Sequence, residues 1–469
     1  MMFGSFFWGS YSDTKGRKLP YTMTLVITSV FGVLSSFAFS FWSLCLLLFF
    51  LGFGVGGNMP TDGALYLEFL PKEYHYLLTF MSVFFSFGAV LASILGYLIL
   101  PYSSCPESTI ELPFPDCDVT TQNNGWRIML FSVGIATIIM LIARSFCLKL
   151  PETPKFLMNH NKHKETIIVL QDIAKMNGNS HIDIQASDLV ATAKADRDNK
   201  NSDEEEDNTN EYDGLLSAHD RNDDNMDHNI TSTHRRLSNE YQLNGSSSSQ
   251  SPISIVVEKE EELANSLNAY TILWSPKWRK TILLIWGIWM FTSMAYTMFN
   301  VFLPKYLETL GFEGESTPSR KDVYWDYMIY SMAGVPGSVM ASYLIETRLG
   351  RKGTMAASSF GSAIALFLFS IIKSRVTMLI SSSSVSFLAT LLYAVIYGYT
   401  PEVFDTVVRG TAVGTASGLG RVAGIVSPIL SGILLTFSTT LPLYVSVIGF
   451  ALVGVFIVLL PYETRNRNN

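Results

Sequence analysis

The sequence predicts an all-α integral membrane protein made of two pseudo-symmetric helix bundles, and three observations predict it. Ten apolar stretches are each long enough to cross a hydrocarbon core, which takes about 20 helical residues, and one further stretch is a fragment. A charged turn, Gly9-Ser10-Tyr11-Ser12-Asp13-Thr14-Lys15-Gly16-Arg17-Lys18, returns as Glu346-Thr347-Arg348-Leu349-Gly350-Arg351-Lys352, its acid one residue further from the glycine. Glu68 follows Gly16 by 52 residues and Glu402 follows Gly350 by the same 52, the mark of one plan used twice.

The full spans are expected at residues 20–41, 43–66, 76–100, 126–148, 280–303, 324–345, 354–373, 376–400, 411–436 and 440–461, with the fragment at 3–11. They give a bundle over residues 1–150, a linking segment over 151–275 and a six-helix bundle over 276–469. The start Met1-Met2-Phe3 has no basic leader, so the fragment reads as the tail of a membrane helix and not as a signal peptide.

The 469 residues are 48% hydrophobic and 16% charged, an average over two unlike compositions. The net charge of −7 gathers in one polar middle, where acids crowd residues 203–227, while Lys and Arg stand at the ends of apolar stretches. The placement of charge, not its sum, makes a lipid bilayer the expected partner and gives no reason to expect nucleic acid. The four cysteines, at 45, 105, 117 and 147, lack metal-ligand spacing, so neither a metal nor another cofactor is expected. No nucleophile, base and orienter stand at a recognisable spacing, which argues against an enzyme.

Adjacent cations between apolar runs mark the side of a membrane that retains positive charge, so the turn at 13–18 is expected on the cytoplasmic side. Alternation then places 67–75, 149–279, 346–353, 401–410 and the C-terminus inside too. The outer loop 101–124 has no Lys or Arg, although Lys305, Arg320, Lys321, Lys373 and Arg375 also fall outside. Cys105 and Cys117 lie in that outer loop, where oxidation is permitted; a disulfide is the leading expectation and two free thiols the alternative. Cys45 and Cys147 lie in spans and read as small packing residues.

Lys155 to Met176 reads as one amphipathic surface helix. Residues 185–260 hold too little apolar surface to fold and read as a disordered linker. Within it Arg235-Arg236-Leu237-Ser238 has the pattern of a basic-directed kinase site at Ser238, a pattern chance also produces. Sequons at Asn229 and Asn244 fall on the inner side and are expected to stay unmodified. Trp274, Trp278, Arg279 and Lys280 mark re-entry at an interface.

These pieces, in this order, resemble the major facilitator superfamily of secondary transporters. The turn with Asp13, Gly16, Arg17 and Lys18 is similar to that family's signature between its second and third spans. Glu68-Phe69-Leu70-Pro71 and Pro401-Glu402-Val403-Phe404 resemble the acidic motifs that close the fourth and tenth spans of sugar porters and organic ion transporters. Pro151-Glu152-Thr153-Pro154-Lys155-Phe156-Leu157 and Pro461-Tyr462-Glu463-Thr464-Arg465 resemble the motifs after the sixth and twelfth. The branch looks closest to the synaptic vesicle glycoprotein and organic cation group.

The resemblance implies two bundles rocking about a central site, with the protein acting as a monomer on a small organic solute (sugar, organic ion or carboxylate), with or without a coupled proton or cation. It also implies a plasma, vesicle or vacuole membrane. Counted this way, fragment 3–11 ends the second span and the first is absent. An incomplete gene product is expected in preference to an isoform unable to transport alone. A non-transporting receptor or trafficking protein on the same scaffold is the alternative reading.

By the same resemblance Asp13, Gly16, Arg17, Lys18, Glu68, Glu152, Glu346, Arg351, Glu402 and Arg409 form an inner latch between bundles or repeats; otherwise they cap helices and mark interfaces. Asp62 sits about 9 Å inward of Glu68, and Arg421 about 18 Å inward of Arg409, near the bilayer centre. Charge there is costly, so each reads as a substrate or coupling residue or as half of a permanent ion pair. Asn58, Tyr296, Asn300, Tyr393 and Tyr397 offer hydrogen bonds and aromatic faces to a polar solute. Two departures from the family pattern bear on coupling. Leu48 stands where proton-coupled relatives carry an arginine, and His75 stands seven residues past Glu68, where the second half has Arg409 seven past Glu402. His75 reads as a pH-sensitive member of the latch or as a hydrated loop residue.

Overall fold

A computed structural model describes residues 1–104, 123–147, 150–160, 162–178, 269–309, 320–371, 375–438 and 440–464. The expectations for Cys105, Cys117, Ser238 and the acidic middle lie outside these residues. By internal contacts the chain forms two units, residues 1–160 with 265–469, and residues 161–264.

The large unit is helical throughout its described residues, apart from turns. Its first half contains α1 (Met2–Lys15), α2 (Lys18–Ser35), α3 (Phe41–Phe69), α4 (Tyr76–Met81), α5 (Val83–Ser103), α6 (Gly125–Cys147) and α7 (Pro154–Asn159). The small unit contributes α8 (His163–Met176), an exposed helix with the side-by-side pairs Lys162–Glu165 and Asp172–Lys175. The single helix expected over 155–176 is therefore two, ending at Asn159 and restarting at His163. The second half follows as α9 (Pro276–Thr309), α10 (Arg320–Leu344), α11 (Gly350–Ile371), α12 (Arg375–Val403), α13 (Arg409–Phe437) and α14 (Leu441–Val458).

Among the described residues nine helices are long and apolar enough to cross a membrane, α4 and α5 counting as one. The expected span at 324–345 is α10, whose 25 residues reach about 37 Å at 1.5 Å each. Its charged first turns and its Tyr, Ser, Gly and Pro residues make it less apolar than the other spans, and Asp326, Ser331 and Ser338 are buried against protein. The burial pattern suits lipid as the outer solvent. Large apolar side chains such as Phe39, Trp42, Phe146 and Ile429 stand exposed, while Ser, Thr and Gly line the helix contacts. Buried hydroxyls return their hydrogen bond to the preceding turn, as Thr28 does to the Thr24 carbonyl and Ser358 to the Thr354 carbonyl.

Two long contacts join the halves. In one, α1 and α13 run antiparallel with glycines in the seam. A side-chain carbon on Gly9 would come within 2.6 Å of the Gly410 carbonyl oxygen, and one on Gly414 within 2.5 Å of the Ser5 carbonyl oxygen. The Gly410, Gly414 and Gly418 spacing of four puts all three on the face that meets α1. In the other, α5 and α10 run antiparallel, with Ser86 bonded to Ser338, Ser93 to Ser331, and the Tyr97 ring against Trp325.

The charged turns are tighter than their composition suggests. Helix α1 continues through Asp13 to Lys15 and breaks only at Gly16, whose φ of 108° is open to glycine alone. In the second copy α10 ends at Leu344, Glu346 lies in the turn, and the break before α11 falls at Gly350, φ 65°. The fragment expected at 3–11 is thus a helix of 14 residues.

Candidate functional site

At the charged end each half builds the same framework. In the first, the Arg17 guanidinium donates to Glu68 Oε1 at 3.0 Å and to Asp13 Oδ1 at 2.6 Å. Glu152 accepts from the backbone N–H groups of Arg17 and Lys18, at 2.8 and 3.2 Å, closing the start of α2. Thr153 donates to the second Glu68 oxygen. In the second half, Arg351 grips Glu402 with two bonds of 2.9 and 3.1 Å. Glu463 accepts from the backbone of Arg351 and Lys352 at 3.0 and 3.1 Å, and Thr464 donates to Glu402. Glu463 is thus the counterpart of Glu152. It was not singled out from the sequence, although its Pro461-Tyr462-Glu463-Thr464 motif was visible.

The two copies part at the acid that precedes the glycine. Asp13, on the last turn of α1, reaches into the other half and meets the first turn of α13. It accepts from Gly410 N at 3.0 Å, Thr411 N at 2.6 Å and Thr411 Oγ1 at 2.7 Å. A carboxylate placed on free N–H groups at a helix start satisfies donors that have no partner in their own helix. Arg17 adds a bond to the Thr406 carbonyl at 3.1 Å. Among the described residues Glu346 pairs with Arg351, at 3.5 Å, and its side chain is 48% exposed. Burial works against the Arg17 charge, yet Asp13 and Glu68 outweigh it and hold the guanidinium above its ordinary pKa.

A reciprocal pair also crosses between the halves. Arg409 Nη1 stands 3.9 Å from Glu68 Oε1, and His75 Nδ1 stands 3.7 Å from Glu402 Oε1. Each residue seven past one acid faces the acid of the other half. His75 is therefore a mostly buried contact, not a hydrated loop residue. Lys18 is exposed at its side chain and takes part through its backbone N–H.

Further along the bundle axis lies a cavity of about 360 Å³ between the halves. It is lined by Met59 of α3, by Phe85, Ser86 and Ala89 of α5, and by residues of α9, α12 and α13. Tyr296, Tyr393, Tyr397 and Arg421 line it, and Trp289 joins them. The rings stack edge to face, Tyr296 on Tyr393 with centroids 5.4 Å apart and Trp289 on Tyr397 at 5.0 Å. The Trp289 indole N–H is committed to Thr400 Oγ1 at 3.0 Å, which fixes that ring.

Three expected site residues lie elsewhere. Asp62 is not on the cavity wall; its carboxylate stands 3.5 Å from Arg144 of α6, whose guanidinium lies over the Tyr21 ring. The two charges form an ion pair within one bundle. Asn300 accepts from Tyr327 at 3.3 Å, away from the lining. Asn58 is also off the wall, its buried side-chain oxygen without a hydrogen-bond partner among the described residues. Among the described residues no group of three or more His, Cys, Asp or Glu could hold a metal ion.

Two pseudo-symmetric membrane bundles, a cavity of mixed lining between them and a charged cluster at one end are the scaffold of a membrane transporter. Comparison with known proteins agrees: the family described as Major Facilitator Superfamily matches residues 1–347 and 316–469. The chain belongs to the Major Facilitator Superfamily. An uncharacterised MFS-type transporter of Schizosaccharomyces pombe is 31% identical over 469 residues, covering 100% of this chain and 76% of that protein. Organic cation/carnitine transporter 7 of Arabidopsis thaliana is 27% identical over 100% of this chain and 82% of its own length. Among solved structures, the proton:xylose symporter XylE bound to 6-bromo-6-deoxy-D-glucose superposes with a TM-score of 0.63 at 14% identity, over 99% of this chain and 85% of that one, a likeness of fold. The chain is a transporter-family membrane protein and not an enzyme.

Proposed function

We propose that the chain moves a small organic solute across a membrane by alternating access, as a monomer, with the charged turns, the segment 151–275 and the C-terminus on the cytoplasmic side. The bundles over 1–150 and 276–469 are the rocking units, and transport runs down the solute gradient or with a coupled proton or cation. The observation that carries this reading is the pairing of a cavity lined from both halves with a seal at the charged end, where Asp13 holds the first turn of α13. With that seal formed, the cavity is shut off from the cytoplasmic side. Opening it requires Asp13, Arg17 and Arg409 to leave partners in the opposite half, which a rigid-body rotation of one bundle accomplishes in a single movement.

Counterflow is the test. Proteoliposomes loaded with an unlabelled solute that the protein binds should take up the labelled solute faster than empty ones, since a carrier returns sooner when occupied. Saturable binding of a solute without uptake or counterflow would contradict transport and point to a receptor on the same scaffold.

A further inference from the structure

We infer that the turn between α2 and α3 is a membrane anchor, set in the bilayer where acyl chains meet headgroups, at the end of the first half opposite the charged turns. From Leu19 to Thr61 no residue is charged, so the turn Ser36-Phe37-Ala38-Phe39-Ser40 has none of the cations or acids that hold a loop in water. The matching connection of the second half, between α11 and α12, carries Lys373. Length places the turn as well. Helix α2 leaves the charged end at Lys18 and has 18 residues, which rise about 27 Å, less than the ~30 Å of a hydrocarbon core. Helix α11 has 22 residues and rises about 33 Å. The α2–α3 turn therefore lies no further out than the edge of the hydrocarbon.

Its polar groups suit that place, because lipid offers a backbone no water to bond. The N–H groups of Ser36, Phe37 and Ala38 donate to the carbonyls of Val33, Leu34 and Ser35, and Arg127 of α6 donates to the Ala38 carbonyl at 3.0 Å. The Ser35 and Ser36 hydroxyls return to the carbonyls of Gly32 and Val33. Ser40 and Ser43 each accept the other's backbone N–H, closing the start of α3. The surface left over is aromatic: Phe39 is 95% and Trp42 80% exposed, with Phe37 and Phe41 exposed beside them. The Arg127 guanidinium lies 4.9 Å from the Trp126 ring, a cation and an aromatic together as at a membrane interface. In water the four neighbouring rings would form an apolar patch of the kind that soluble surfaces avoid. At the headgroup boundary they are in the solvent that aromatic side chains prefer, and they set the depth of the first half in the bilayer.

A depth measurement in phosphatidylcholine vesicles tests the anchor. The full chain, its four cysteines replaced by serine, carries a nitroxide at Phe39→Cys. Relaxation of the label by oxygen, which concentrates in hydrocarbon, is compared with relaxation by a water-soluble nickel chelate. A label at Lys162→Cys, whose native side chain is exposed, gives the water reference. Oxygen is expected to dominate at position 39 and nickel at the reference. Dominance of nickel at position 39 would overturn the assignment, and so would exclusion of both reagents, the sign of a covering protein partner. A second measurement needs no label: quenching of tryptophan emission by phosphatidylcholine brominated along its chains. The native chain should lose a larger share of its emission than Trp42→Phe, and equal shares would put Trp42 outside the lipid and overturn the anchor. Neither result depends on transport, so a chain that binds a solute without counterflow would keep its anchor.

Discussion

The two charged turns share a glycine, an arginine, a lysine and a distant acid, yet only the first fastens the halves together. Asp13 precedes Gly16 by three positions and Glu346 precedes Gly350 by four. That single residue keeps Asp13 on the last turn of α1, aimed across the seam at Gly410 and Thr411, and leaves Glu346 in a turn beside its own Arg351. The surroundings follow suit: the Glu68 side chain is fully buried, whereas its counterpart Glu402 keeps 14% exposure. A repeated motif has become a cross-bundle seal in one copy and an internal brace in the other. The residues common to both copies, Glu152 with Glu463 and Thr153 with Thr464, keep the same partners in each.

The largest effect should come from the buried cluster. Arg17→Gln leaves Asp13 and Glu68 without their cation and should cost about 3–5 kcal/mol of stability. Arg351→Gln, beside a more hydrated pair, should cost less. Thermal unfolding of the purified chain checks the ranking, and equal losses would erase the distinction between seal and brace.

Next in size is the seal itself. Asp13→Asn weakens three bonds to the start of α13 and should shift the balance between closed and open charged ends by about 1.5–3 kcal/mol. Glu346→Gln should shift it by less than about 0.5 kcal/mol. Access of a membrane-impermeant thiol reagent to a cysteine placed at Ser417 reads the difference.

Glu152→Ala and Glu463→Ala sharpen the comparison from the other side. Each removes a carboxylate from the backbone N–H groups of a turn, and each should cost about 1–2 kcal/mol. Near equality in chemical unfolding is expected, because here the two copies are alike.

The smallest effect concerns His75 against Arg409. His75 Nδ1 stands 3.7 Å from Glu402 Oε1, and Arg351 braces Glu402 from its own half. Its counterpart Arg409 stands 3.9 Å from Glu68 Oε1 and also donates to the Pro401 carbonyl. His75→Ala should therefore weaken closure of the charged end by less than about 1 kcal/mol, and Arg409→Ala by more. Equal effects of the two variants in the same thiol-access measurement would show that the two pairs carry equal weight.

Much of the fold was legible because span length, charge placement and the 52-residue interval are properties of the sequence itself. Helix ends were not. Ser10 to Lys15 has the composition of a turn, but the α13 seam holds Asp13 in helix. Arg421 could be found from its depth alone, since twelve residues of helix have a fixed length. The partner of Asp62 could not, because the meeting with Arg144 depends on the rotation of α6 about its axis. The hold of Asp13 on Gly410 and Thr411 was invisible for another reason: its donors are backbone N–H groups, which every helix start offers and no side chain announces.

The most direct measurement of the central claim, that the first turn and not the second seals the halves, is a distance distribution between spin labels at Lys18 and Val407, in a chain whose four cysteines are replaced by serine. The labels flank the Arg17 bond to Thr406 from opposite halves. The native chain should show a dominant short distance, Asp13→Asn a grown population at longer distance, and Glu346→Gln the native distribution. Identical distributions in all three would contradict the account.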